Sequence, residues 1–259
     1  GDVAVECFLV DNASSDGTAA AVAGRFPSVE TIELETNEGL PARNHGLRRA
    51  SGRHRMFIDS DALLTPDALR TMVDALDENP HVGLVGPRLI YPDGGLQLST
   101  RRFPPVMLPL LRRPPLGRFF EDGPTIRRHL MAGESHDRRR RVEYVIGACQ
   151  MFRAEAQADA GEIDERIWFG HDDADWCFSM RDSGWEILYV PEAEVIHDYR
   201  RTSAQQPLST FAARQLAAHV HFQRKWWSRR TGLIAAGRAM DAEAEAAAAP
   251  RLDAETVSA

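Results

Sequence analysis

With 259 residues the chain is long enough to bury a full core without disulfide or metal staples, as one large domain or two small ones. Its apolar fraction of 43% and charged fraction of 27% sit near the globular norm. A formal charge of −7 argues against a general nucleic-acid binder, which needs a basic face, and leaves room for a divalent cation held by carboxylates.

The elements read in chain order as follows. "VECFLV" (Val5 to Val10) is a buried strand closed by the turn-rich "DNASSDGT", and Thr18 to Phe26 is a short Ala-rich helix. "VETIEL" alternates as a second strand, and "NEGLPARNHGLRRAS" is a glycine loop leading into a helix with Pro41 near its first turn. "HRMFID" is a third strand. Thr65-Pro66 predicts an N-cap and first helical residue for a helix from about Pro66 to Asp77. "VGLVGPRLIYPDGGLQLS" suggests two short strands round a Pro-Asp-Gly-Gly turn, and residues 101–141 a long, partly helical surface excursion. "EYVIGACQMF" restores a strand, "DDADWCFSMRDSG" predicts a helix ending at Gly184, and "WEILYV" and "AEVIH" predict two closing strands. Leu208 to Trp227 reads as a terminal helix, and the Ala- and acid-rich tail 231–259 as disordered or a frayed helix. The alternation of strand and helix in the first half predicts an open α/β sheet.

Three cysteines, Cys7, Cys149 and Cys177, stand far apart without a CxxC pair and cannot all pair. They predict a reducing compartment and three small buried side chains. No apolar run approaches the ~18 residues of a membrane span, and no signal peptide is read, so a cytoplasmic protein is expected.

Asp-x-Asp occurs twice, at Asp59/Asp61 and Asp173/Asp175. The first pair ends a predicted parallel strand, where open α/β sheets bind ligands, and can hold Mg²⁺ or Mn²⁺ and through it a diphosphate. The alternative is that one of the two merely caps the next helix. Asp173 opens a helix, where the dipole stabilises a carboxylate; it is either a cap or a general base. The dipole would lower its pKa, so a base there would depend on placement. His197 ends another apolar strand and completes a metal site if that strand returns beside the Asp59 strand; otherwise it is structural. "DNASSDGT" is turn chemistry that could bind a base and ribose at the sheet's carboxyl edge, and Arg43 is a solvated cation unless that edge brings it to a phosphate or base. "HFQRKWWSRR" either rests on an anionic membrane surface or packs its Trp residues onto the domain.

In this order, "VDNASSDGT", "NEGLPARNHGL", "FIDSDALLTPDAL", "VGPRLIYPDGGLQLSTRRFP", "VIGACQMFRAEA", "IDERIWFGHDDADWCFSMRDSGW" and "YVPEAEVIHDYRRTS" resemble the family-2 glycosyltransferases, in particular the bacterial branch with rhamnosyltransferases. The resemblance covers about Val5 to Ser203. It implies a GT-A fold, an open mixed sheet flanked by helices with a Rossmann-like nucleotide half (1–100) and an acceptor half (101–205). A C-terminal helix (206–230) would complete one domain over residues 1–230. It further implies a nucleotide-sugar donor, a divalent cation and inversion at the anomeric carbon. Asp61 and Asp59 fall on the metal motif, Asp59 nearer the ribose, and His197 on a histidine that can approach the metal. Asp172 and Asp173 fall on the acidic pair, Asp173 inheriting the base role. Asp11, Asn12 and Arg43 fall on donor positions, and Gly147-Ala148-Cys149 on the acceptor side. The resemblance implies a hydroxyl of a cell-surface or lipid-linked glycan as acceptor, dTDP-rhamnose as the subfamily's donor, and peripheral contact with the inner face of the plasma membrane. The family opens with one more strand before the "VDN" strand, and that strand is expected to be missing here. A non-catalytic, glycan- or partner-binding member is the competing reading. A nucleotidyltransferase is disfavoured because no glycine-rich basic loop stands near the N-terminus.

Overall fold

The computed structural model describes residues 3–112, 117–120, 122–199 and 210–248. Strand β1 (Cys7–Asp11), helix α1 (Thr18–Arg25) and strand β2 (Val29–Glu33) form a parallel crossover unit, with Cys7 opposite Val29 and Asp11 opposite Glu33. Among the described residues β1 pairs with β2 alone, and the two strands stand as a sheet of their own. The Glu6 carboxylate reaches from the start of β1 to accept the Ser51 N–H (2.6 Å) and the Gly52 N–H (2.8 Å).

After a single turn at Leu40–Ala42 come α2 (Arg43–Arg49), β3 (His54–Ile58), β4 (Ala62–Leu64), α3 (Ala68–Glu78), β5 (Val82–Ile90) and β6 (Leu96–Gln97). The excursion then carries β7 (Thr100–Arg101), α4 (Leu108–Arg112), α5 (Gly117–Phe120), α6 (Pro124–His129) and β8 (Arg140–Arg141). It is followed by β9 (Tyr144–Val145), β10 (Cys149–Arg153), α7 (Ala154–Ala160), α8 (Asp172–Asp182), β11 (Glu186–His197), α9 (Thr210–Trp226) and α10 (Arg230–Ala248). The main sheet runs β3-β10-β5-β11-β4, with β6 on β5 and β8 on β11, and β7 pairs with β9 separately. It is mixed: β5 and β11 are parallel, the other ladders antiparallel.

Its central strands are apolar on both faces, so successive residues enter different cores. Leu84, Phe152, Ile187 and Tyr189 join Trp176, Phe178, Phe222 and Trp226 on the α8–α9 side. Their neighbours Val85, Met151, Leu188 and Val190 join Met72 and Leu76 on the α3 side. Each such side chain contributes about 1.5–3 kcal/mol by leaving water. α3 buries Ala68, Met72, Ala75 and Leu76, the spacing of one helical face.

Several local expectations are corrected. α3 starts at Ala68 because the Thr65 hydroxyl, the expected cap, donates instead to the Glu194 carbonyl of β11 (2.8 Å). The two closing strands are one, β11, carried through an irregularity between Val190 and Glu194 by its pairing with β5. Of the two forms expected for the tail, disordered or a frayed helix, residues 230–248 take the helical one, with Leu233 and Ile234 packed on the core; 249–259 lie outside the described residues. Cys149 and Cys177 are buried, and burial pushes the Cys149 thiol up to about 12, but Cys7, the first residue of β1, is exposed. Among the described residues no helix is long and apolar enough to cross a membrane.

Candidate active site

β3 ends at Ile58, where its antiparallel partner β10 begins at Cys149, and the Asp59 N–H continues the ladder to the Ala148 carbonyl (2.9 Å). The chain then turns sharply, the Ala62 N–H returning to the Asp59 carbonyl (3.0 Å), and leaves as β4. β4 pairs with the last turn of β11, Ala62 opposite His197, and the Asp198 N–H donates to the Asp61 carbonyl (2.9 Å). His197 therefore meets the aspartates although its strand does not run beside β3: β10 and β5 lie between β3 and β11. The condition set for His197, a strand beside β3, is not met; β4, a strand the sequence reading lacks, brings the imidazole in instead.

One ligand atom each of Asp59, Asp61 and His197 lies within 4.8 Å of the others, a group that could hold a metal ion. His197 Nε2 is 3.4 Å from an Asp61 oxygen, and its Nδ1 is 2.6 Å from Oε1 of the buried Gln97. With Nδ1–H donating to that amide oxygen, Nε2 presents its lone pair to the cluster. Two carboxylates and a neutral imidazole suit Mg²⁺ or Mn²⁺. Gln97 was not singled out in the sequence; only its place on β6, hairpinned to β5, brings it under His197.

Arg43 links this cluster to the second carboxylate group. Its guanidinium pairs with Asp59, donates to the Gly147 carbonyl (3.2 Å), stands 4.0 Å from Asp172, and lies over the Phe57 ring at 5.3 Å. It is not a solvated cation: its charge is shared between two acids. Gly147 fills the junction: a Cβ there would meet Arg43 Nη1 at 3.1 Å and the Asp173 Cβ at 3.6 Å.

Asp172 and Asp173 open α8, Asp172 buried and Asp173 half-buried, Asp173 accepting the Ala174 N–H (2.8 Å) and a backbone hydrogen bond from Gly147. Burial, then the charge of Asp173 beside it, pushes the Asp172 carboxyl up to about 7. Burial also raises Asp173, against its backbone hydrogen bonds and the positive charges of Arg101 and Arg43. The helix dipole was expected to lower it; loss of water outweighs the dipole here. Asp175 belongs elsewhere: it accepts Lys225 Nζ (2.6 Å) and Trp226 Nε1 (2.8 Å), fastening α8 to α9.

The residue before the pair, His171, has φ +70, which costs a non-glycine residue about 1 kcal/mol or more. Its ring stacks on Phe222 (centroids 5.1 Å apart), and its Nε2 is 2.9 Å from Nδ1 of the buried His219. His219 Nε2–H donates to the Val106 carbonyl (2.8 Å), so its Nδ1 accepts from His171. α9 thereby holds the strained entry to α8, a role with no signature in the sequence.

The remaining expected residues lie on the β1 edge. Asp11 is buried and accepts the Ser14 N–H (2.8 Å). Asn12 accepts the Glu38 N–H (2.8 Å) and donates to the Gly39 carbonyl (2.8 Å), so its amide clamps the glycine loop. Gly39 is required there: its φ is +76, and a side chain would strike Trp168.

The chain is 28% identical over 240 residues to the N-acetylglucosaminyl-diphospho-decaprenol L-rhamnosyltransferase of Mycobacterium tuberculosis, covering 86% of this chain and 77% of that one. Among solved structures it resembles GalNAc-T7 with UDP, GalNAc and Mn²⁺ (TM-score 0.63, 17% identity, 86% of this chain and 43% of that one). It also resembles the mannosyltransferase PcManGT from Pyrobaculum calidifontis with GDP-Man and Mn²⁺ (TM-score 0.54, 21% identity, 85% of this chain and 55% of that one). The chain thus spans about half the length of these two neighbours, and the likeness establishes the GT-A fold. The model of glycosyl transferase family 2 matches residues 3–159, which include both aspartates of the strand-end motif, and the chain belongs to that family.

Proposed function

We propose that the chain moves a sugar from a nucleotide-sugar donor to an acceptor hydroxyl in one inverting displacement. The observation that carries this reading is the convergence of Asp59, Asp61 and His197 with the Asp172/Asp173 pair, joined through Arg43 and Gly147. A divalent cation bound by Asp61, Asp59 and His197 would neutralise charge building on the departing diphosphate.

Asp173 is the general base. Its raised pKa makes it a better proton acceptor near neutral pH than an ordinary carboxylate, and the Ala174 and Gly147 hydrogen bonds fix its direction. Asp172, raised to about 7, shares the pair's proton, so the two titrate together. Arg43 holds positive charge between both groups and limits their repulsion. Asp11 and Asn12 shape the edge against which the nucleoside would rest.

The relative's name supports L-rhamnose as the transferred sugar and a lipid-linked glycan as acceptor; dTDP as the donor's nucleotide and contact with the inner face of the plasma membrane are added as our own reading. Nucleotide-sugars titrated with Mn²⁺ and Mg²⁺, followed by NMR of the product anomer, test the reading. Metal-dependent turnover with inverted configuration is expected. Retained configuration, or donor binding indifferent to metal across the panel, would remove it.

A further inference from the structure

Two segments of this acidic chain contain no acid at all. Residues 101–120 and 210–230 together carry ten of the 31 Lys and Arg residues and no Asp or Glu, against a formal charge of −7 for the whole. They also meet in space: Val106 is tied to His219 of α9, and the Pro104 carbonyl accepts from Gln223 of α9 (2.9 Å).

Where they meet, the surface is apolar and open to water. α9 buries Ala218, Phe222 and Trp226 but exposes Leu216 (46%) and Val220 (40%), and Trp227 (62%), in the turn just past its end, is exposed too. At 3.6 residues per turn Leu216 and Val220 fall about 40° apart around the helix. The exposed Ala213, Ala217 and Arg224 flank them. Beside His219, Val106 and Met107 are exposed, and the same excursion exposes Phe119 and Phe120 on α5. The expected packing of the tryptophans onto the domain holds for one of two: Trp226 is buried and hydrogen-bonded to Asp175, Trp227 faces outward.

We propose that this face, the outer stripe of α9 with Trp227 and residues 106–107, docks on an anionic lipid bilayer. An apolar stripe flanked by cations is what such a surface selects, because aliphatic and aromatic groups enter the headgroup boundary while Arg and Lys meet lipid phosphates. A second copy of the chain fits worse, since pairing these faces would set cation against cation. Arg102, Lys225 and Arg229 are paired with Glu134, Asp175 and Asp182, so the lipid-facing charge rests mainly on residues such as the exposed Arg224. The surface borders the catalytic carboxylates through Val106, His219 and His171, which would turn the acceptor side of the cleft toward the membrane. It stands on exposure and charge and does not depend on the transferase reading.

The test is co-sedimentation of the full chain with phosphatidylcholine vesicles with and without phosphatidylglycerol, at low and high salt. Binding to the anionic vesicles that weakens with salt is expected. The double variant Val220→Asp/Trp227→Asp should lose it by about tenfold or more, and Arg224→Glu by a smaller factor. Circular dichroism and thermal melts report whether each variant is folded, and Arg224→Glu, fully on the surface, serves if the double variant is not. Equal binding by wild type and variants, no preference for anionic vesicles, or a wild-type dimer in light scattering that Val220→Asp dissociates would each overturn the proposal. Asp61→Ala and Asp173→Asn should bind vesicles like wild type whatever happens to sugar transfer, so the two readings fail separately.

Discussion

The two Asp-x-Asp motifs of this chain are spelled alike and are used in opposite ways. Asp59 and Asp61 stand at a strand end with partly open side chains, beside an imidazole and a guanidinium, where water or a ligand can reach them. Asp173 and Asp175 start a helix that is buried nearly all round, and their side chains part: one faces Gly147 and Arg43, the other Lys225 and Trp226. Carboxylates left near water at a strand end can hold a cation. One stripped of water is raised, as Asp173 and Asp175 both are, with Lys225 opposing the rise at Asp175.

Four substitutions would break or sharpen that contrast. Asp61→Ala should have the largest effect, removing metal-dependent donor binding and transfer together; calorimetry with nucleotide and Mn²⁺ reads the first, and binding that survives undiminished would put the metal site elsewhere. Asp173→Asn should leave donor affinity within about twofold while lowering kcat by roughly 10² to 10⁴, the usual weight of a general base. A parallel loss of donor affinity would mean that Asp173 shapes the donor site instead.

Asp175→Ala should act on stability, not chemistry. It leaves the buried Trp226 Nε1–H without its acceptor at the α8–α9 contact, while Lys225 keeps Asp164 at 3.4 Å, and an unmet buried donor costs about 1–3 kcal/mol. Urea unfolding measures this, and the folded fraction should keep the wild-type donor KM.

Asp172→Asn probes the raised carboxyl. With a pKa of about 7 in the fold against an ordinary carboxylate when unfolded, Asp172 binds a proton in the native state that the unfolded chain has released. Its contribution is therefore greatest at acid pH and declines as pH rises from about 4 to about 7. The asparagine variant should lack that decline, so its stability relative to wild type should be higher at pH 8 than at pH 5. A constant difference between the two would show that the carboxyl is not raised.

How the site is supplied with its residues explains what could be read early. Apolar runs with turn signals identified β1, β2, β3, α1 and α8 nearly to the residue, because those elements are set by local burial and local turn chemistry. The site residues Asp59, Asp61, Asp172, Asp173 and His197 were legible too, through residue type and position at strand or helix ends. Their partners were not. β4 carries three residues, too short for any periodicity, yet it delivers His197 to the aspartates. Gln97, His171 and His219 look like ordinary polar residues along the chain, and Arg43 like a surface cation, until packing removes their water.

The sequence by itself determined the α/β class, the family and which carboxylates could do chemistry, since these rest on patterns only a few residues long. The tertiary structure alone decided which of those carboxylates keep water and which lose it, which imidazole nitrogen is bare, and which face of α9 is left uncovered. Each of those outcomes depends on contacts between residues far apart in the chain, and no local pattern encodes the loss of solvent that such contacts impose.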